Sequence, residues 1–173
     1  DLKKIIIGTA QFGSHYGITN KTGKPTKEES IDIIKYAIEN KIYKFDTARL
    51  YGDSEMLLNI IRKTYNNIKI TTKIGFNDKN NIGAEFLKSL NVLDVNCFDS
   101  LLLHNYKYYE DKEVWNELLY KKRQKQVHNL GVSIYNIEEL KVLLDDETVN
   151  EIQLPFNILD TRLLNADLIK KIK

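Results

Sequence analysis

Four side chains in this sequence have the chemistry of a proton-transfer site: Asp46 and Tyr51 in FDTARLYGDSE, Lys73 in ITTKIG and His104 in LLLHN. A free phenol titrates near ~10 and gives up its proton reluctantly at neutral pH. A neighbouring ammonium favours the phenolate, so Lys73 is expected to make Tyr51 a better acid. Asp46 would pair with Lys73 and hold it charged. His104 would donate a hydrogen bond to a substrate oxygen and fix its approach. Such a set protonates a carbonyl oxygen during reduction, and the hydride must then come from a cofactor. Singly, each residue has a plainer explanation, a packed loop tyrosine or a solvated lysine. Jointly, on successive strand ends, they call for one pocket.

The elements that would gather them are visible as pattern. Six apolar, β-rich runs recur: 3–8 (KKIIIG), 42–46 (IYKFD), 68–73 (IKITTK), 98–104 (FDSLLLH), 128–133 (HNLGVS) and 150–155 (NEIQLP). Several are nearly continuous in Ile, Val and Leu, as in parallel strands buried on both faces. Helical periodicity lies between them. Thr26 and Glu29 have capping-box spacing ahead of Ile31, Ile34, Ala37 and Ile38, and Asn136 with Glu139 opens a second helix in the same manner. Further helices are predicted over 54–65, 83–92, 111–124 and 163–172. Alternating β and α at this pitch means right-handed crossovers and a parallel sheet. The first turn, Gly8 to Gly13, lacks the Gly-x-Gly-x-x-Gly spacing of a dinucleotide-binding open sheet, and there is no P-loop. The expectation is therefore an α/β fold of the parallel (β/α)8 TIM-barrel type, in one domain over residues 1–173. The C-terminal strand edge, where Asp46, Lys73 and His104 fall, is where such barrels converge their catalytic groups.

Composition narrows the function classes. Twenty-six basic against 24 acidic residues leave a net charge of +2, with the basic residues scattered except for KKRQK at 121–125. That run closes a predicted helix, where cations suit the dipole, so no nucleic-acid partner is expected. The single Cys97 excludes an internal disulfide and reads as a structural thiol. Three histidines are too few for a metal-dependent barrel hydrolase built on Asp46 and His104, and no metal site is expected. Apolar runs are too short to span a bilayer and no charged-then-apolar leader precedes residue 5, so the chain reads as cytoplasmic without a membrane role. His15 and Tyr16 lie in the loop after the first strand, and Tyr106, Tyr108 and Tyr109 follow His104; wall-of-pocket and packing roles are both open. Trp115 reads as a core anchor. His128, at the opposite strand end, reads as structural.

These motifs resemble those of the aldo-keto reductases. FDTARLYGDSE at 45–55 is similar to that family's Asp-Thr-Ala-x-x-Tyr-Gly-x-Ser-Glu signature, which maps a catalytic Asp and Tyr onto Asp46 and Tyr51. TTK and LLLH place the catalytic Lys and His at Lys73 and His104. GTAQFG resembles the first strand and loop, which implies cofactor contacts at Gly8, Thr9 and Gln11. GVS at 131–133 and QLPFN at 153–157 resemble the segments that hold the nicotinamide carboxamide, which implies Ser133 and Gln153. Ile134 departs from the Asn that many members carry there. The resemblance implies a TIM barrel and hydride transfer from NADPH, or NADH, to a small aldehyde or ketone.

About six of eight βα units are accounted for, an apparent truncation, with the segments for the cofactor phosphates among the remainder. Two functions are expected to compete: an NAD(P)H-dependent oxidoreductase with Tyr51 as general acid, and a truncated, non-catalytic barrel domain acting as a structural or interaction subunit. Unpaired first and sixth strands would make a homo-oligomer through strand edges possible.

Overall fold

In the computed structural model, which describes residues 2–75, 81–164, 168, 171 and 172, the six apolar runs form six strands. They are β1 (Ile6–Gly8), β2 (Lys44–Asp46), β3 (Lys69–Ile74), β4 (Phe98–Leu103), β5 (Val127–Ser133) and β6 (Glu151–Gln153). Every neighbouring pair is parallel and the spatial order follows the chain. Seven helices are described: α1 (Ala10–Gly13), α2 (Lys27–Glu39), α3 (Ser54–Arg62), α4 (Ile82–Leu93), α5 (Tyr106–Glu110), α6 (Lys112–Arg123) and α7 (Ile137–Leu144). Between consecutive strands the helices return the chain to the same sheet edge, as parallel pairing requires.

The sheet is curled. On a flat sheet with strands ~4.8 Å apart, β2 and β6 would lie roughly 19 Å from one another. Instead the Gln153 amide on β6 donates to Asp46 Oδ1 on β2 at 3.0 Å, and Thr71 Oγ1 on β3 lies 3.5 Å from Glu151 Oε1 on β6. Six strands thus form most of a barrel wall around a shared lumen.

Strand alternation separates two environments. Phe45, Ile70, Ile74, Leu101, Leu103, Leu130 and Val132 face outward and pack with Ile34, Leu58, Phe86, Leu118 and Leu140 of the helices. The inner positions include Asp46, Thr71, Lys73, Ser100, Asn129, Ser133, Glu151 and Gln153, together with the apolar Ile6 and Leu102. The expectation of strands apolar on both faces therefore holds only for the outer face. The lumen is polar, the environment a buried Lys73 requires.

Several boundaries differ from the sequence pattern. Leu2–Lys4 is a 3-10 turn, so β1 is shorter than the run 3–8, and as an edge strand it leaves Ile6 47% exposed. The stretch 106–110, without a helical assignment from periodicity, is α5. It buries Tyr109, whose hydroxyl donates to Asp146 at 2.6 Å and whose ring meets Trp115 edge-on. Trp115 is a core residue and donates to Thr148 Oγ1. The 163–172 helix falls largely outside the described residues; Arg162–Leu164 is a 3-10 turn.

The helix starts follow the expected chemistry. Thr26 and Glu29 exchange side-chain and backbone hydrogen bonds in a complete capping box. Asn136 caps α7 by accepting from the Glu139 N–H, but the Glu139 carboxylate accepts from Tyr135 rather than from Asn136. The KKRQK run closes α6 with Lys121, Lys122 and Arg123 in its last turn. Among the described residues no helix is long and apolar enough to cross a membrane.

Candidate active site

Asp46 ends β2, Lys73 is the penultimate residue of β3, and His104 follows β4, its N–H extending the ladder to the Ile74 carbonyl at 2.9 Å. Lys73 is only 2% exposed. Its Nζ donates to both oxygens of Asp46 at 2.6 Å and to the Thr47 carbonyl at 3.0 Å. Three acceptors use all three ammonium protons, the condition for burying a lysine charged. Burial nonetheless pulls the ammonium below its ordinary range, against the opposing fields of Asp46 and Glu151.

Tyr51 reaches this pair from the loop between β2 and α3. That loop continues the sheet, with the Thr47 N–H donating to Thr71 and the Arg49 N–H to Lys73, both at 2.8 Å. It then turns sharply against α1. A Cβ on Gly13 would lie 1.5 Å from the Tyr51 carbonyl oxygen, so only glycine permits the approach. Gly52, at φ +50, completes the turn in the left-handed region. The Ser54 hydroxyl locks the far side by donating to the Thr9 carbonyl at 2.7 Å.

The half-buried Tyr51 ring lies 5.2 Å from Lys73 Nζ and meets His104 edge-on at 5.6 Å. The four residues singled out on chemical grounds therefore meet in one place. Their electrostatics differ from expectation in one respect. The Tyr51 phenol is pushed up to about 12, by burial first and then by the Asp46 carboxylate and the phenols of Tyr16 and Tyr135. Tyr51 is thus a fully protonated donor at neutral pH. His104 is pushed down by burial and by Lys73, which keeps it neutral, and its buried Nδ1 has no partner among the described residues.

The remaining expected residues divide into two groups. Ser133 and Gln153 are register partners at the C-terminal ends of β5 and β6, one buried and one half-buried. Gly8 pairs with Asp46 at the end of β1 and has open space where a Cβ would stand. Thr9 is fully buried, its N–H donating to the Asp46 carbonyl and its Oγ1 unpartnered among the described residues. Gln11 is exposed and donates to the Tyr16 carbonyl. Tyr16 is exposed beside the site, whereas His128 is exposed at the opposite strand end. Cys97 is half-buried, with its thiol pushed up by burial and by Asp99.

Sequence reasoning passed over Glu55, although it stands within FDTARLYGDSE. It sits three residues before Leu58 on the buried face of α3, and a carboxylate at such a position was the available signal. Burial raises its carboxyl above the ordinary range, against the hydroxyls of Ser89 and Thr72 and the guanidinium of Arg49.

Comparison with known proteins finds relatives in sequence and in fold. Over 151 residues the chain is 29% identical to an NAD/NADP-dependent indole-3-acetaldehyde reductase of Schizosaccharomyces pombe, covering 83% of this chain and 50% of that protein. It is 30% identical over 142 residues to methylglyoxal reductase DkgA of Yersinia pestis, covering 77% and 51%. The chain thus spans about half the length of these curated relatives. The fold superposes on an aldo-keto reductase from Bacillus halodurans in its holo form (TM-score 0.76, 21% identity, 92% of this chain and 55% of that one). It also superposes on an aldo/keto reductase from Klebsiella pneumoniae in complex with NADP and acetate (TM-score 0.71, 18% identity, 96% and 60%). The model of the aldo/keto reductase family matches residues 4–173, and the chain belongs to that family.

Proposed function

We propose that this chain carries the catalytic centre of an NAD(P)H-dependent reductase of small aldehydes or ketones, with Tyr51 as general acid. The observation that supports it most is the buried Lys73–Asp46 pair beneath a protonated Tyr51, with a neutral His104 at the edge of its ring. A phenol held as donor in a partly dry pocket can pass its proton to a carbonyl oxygen as negative charge develops there. His104, neutral, can donate a second hydrogen bond to the same oxygen. Lys73 stabilises the phenolate left behind, and Asp46 keeps that ammonium in place.

The donor set at the ends of β5 and β6 suits a nicotinamide. A primary carboxamide needs one acceptor and one donor, which the Ser133 hydroxyl and the Gln153 amide provide side by side. The open space at Gly8 leaves room for a ring against β1. When bound, the reduced nicotinamide supplies the hydride. Indole-3-acetaldehyde and methylglyoxal, named for the relatives, are the first substrates to try.

The test is NADPH oxidation with these two aldehydes, alongside fluorescence titration of NADPH. Tyr51→Phe removes only the hydroxyl and is expected to lower kcat by about 10² or more, with NADPH affinity nearly constant. Wild-type turnover in Tyr51→Phe would remove the general-acid assignment. Failure of the chain to bind NADPH at all would favour the competing reading, a non-catalytic barrel domain.

A further inference from the structure

Glu55 is 1% exposed, yet it lies on the outer side of the sheet, away from the lumen. Its Oε1 accepts from Thr72 Oγ1 at 2.7 Å and from the Ser89 hydroxyl of α4. Its Oε2 has no hydrogen-bond partner among the described residues and faces Arg49 Nη1 at 3.8 Å. Arg49 in turn points its Nε at Glu85 of α4, at 3.6 Å. A buried carboxylate is costly and persists only when surrounding donors compensate it. Two of the three groups facing Glu55 have a telling place. Thr72 immediately precedes Lys73, and Arg49 precedes Tyr51 by two residues. Glu55 itself follows Tyr51 by four. The Arg49 N–H also closes onto the Lys73 carbonyl.

We propose that Glu55 is a positioning residue for Tyr51 and Lys73: its buried carboxylate ties the loop bearing the phenol to the strand bearing the ammonium. The idea rests on the catalytic reading of those two residues. Tyr51 is carried by a loop and Lys73 by a strand, and their side chains meet as ring and ammonium 5.2 Å apart. Proton transfer loses efficiency with displacements on the order of 1 Å. Behind the sheet, the carboxylate bonds Thr72 directly and attracts Arg49, so neither segment can shift without breaking a buried contact. Asp46 holds the lysine from the front. Glu55 holds the backbones of both residues from behind.

The experiment compares the full chain with Glu55→Gln, which preserves volume but removes the charge, and with Thr72→Val, which removes one donor. Hydrogen exchange at the Thr47 and Arg49 amides reads the loop-to-β3 attachment without any need for activity. Both variants are expected to speed that exchange about tenfold more than exchange in β4 and β5. In the reductase assay kcat is expected to fall about tenfold, with KM for NADPH and aldehyde changed less than about twofold. Added to Tyr51→Phe, Glu55→Gln should have no further effect on kcat, since it acts through that hydroxyl. Uniform acceleration of exchange across the sheet would reduce Glu55 to a stability role and overturn the proposal. Additive kinetic losses in the double variant would overturn it equally. An inactive wild-type chain would refute the reductase reading instead, and the exchange comparison would still decide the attachment.

Discussion

Replacing Asp46 with Asn should make the stability of this protein depend on pH in a direction set by Lys73. The variant keeps the shape of the side chain but leaves the ammonium, 2% exposed, with the Thr47 carbonyl and an amide oxygen as its acceptors. Breaking a buried ion pair by removing one partner costs about 3–5 kcal/mol while the other charge persists. Retained acceptors place the expected loss near the lower bound, about 3 kcal/mol at pH 7. For a domain of this size that corresponds to a fall in Tm of about 6–12 °C. Lysine can relieve the cost by losing its proton. Its folded pKa is already lowered by burial, and without Asp46 it falls further. Between that value and the unfolded lysine value of ~10.4 the unfolded chain binds more protons, so stability must rise with pH. The slope cannot exceed about 1.4 kcal/mol per pH unit for one group. Below the folded pKa the penalty is present in full. Urea denaturation of wild type and Asp46→Asn at intervals from pH 6 to 10 measures the difference. It should be largest at low pH and shrink as pH rises. Lys73→Met should cost less, about 2 kcal/mol, because the Asp46 side chain is 14% exposed and still accepts from Gln153. A difference below about 0.5 kcal/mol, or one independent of pH, would refute the idea of a buried charged pair.

Other outcomes are equally specific. Gly13→Ala sets a Cβ against the Tyr51 carbonyl and should cost at least ~2 kcal/mol in urea denaturation, with a matching loss of turnover. Thr26→Ala removes half of the α2 capping box and should cost about 1 kcal/mol in the same assay, with kcat unchanged. Borohydride trapping with an aldehyde should leave no reduced adduct at Lys73 on peptide mass spectrometry, since its three protons are bound by Asp46 and Thr47. Light scattering should show mass rising with concentration if β1 and β6, each paired on one side among the described residues, join between chains.

Much of the architecture was legible in the sequence because its signals are local. Ile, Val and Leu runs at a regular pitch mark strands, and Thr26 with Glu29 marks a helix start through chemistry confined to one turn. The lysine and the histidine could be named because each ends such a run, and the candidate acid because it follows one in the adjoining loop; parallel strands in chain order necessarily bring their C-terminal ends to one edge. Helix α5 was not legible, since five residues cannot display a helical period. What only the tertiary structure decided are the interactions that the curl creates. Gln153 reaches Asp46 across 107 positions of chain. Burial, and after it the Asp46 carboxylate, set the Tyr51 phenol, and its shift is upward where local chemistry alone argued for downward. Glu55 bonds the residue beside Lys73 rather than solvent. A one-dimensional pattern specifies which side of a strand or helix a residue occupies. The dielectric around it and the partner it meets depend on which surfaces the fold brings together.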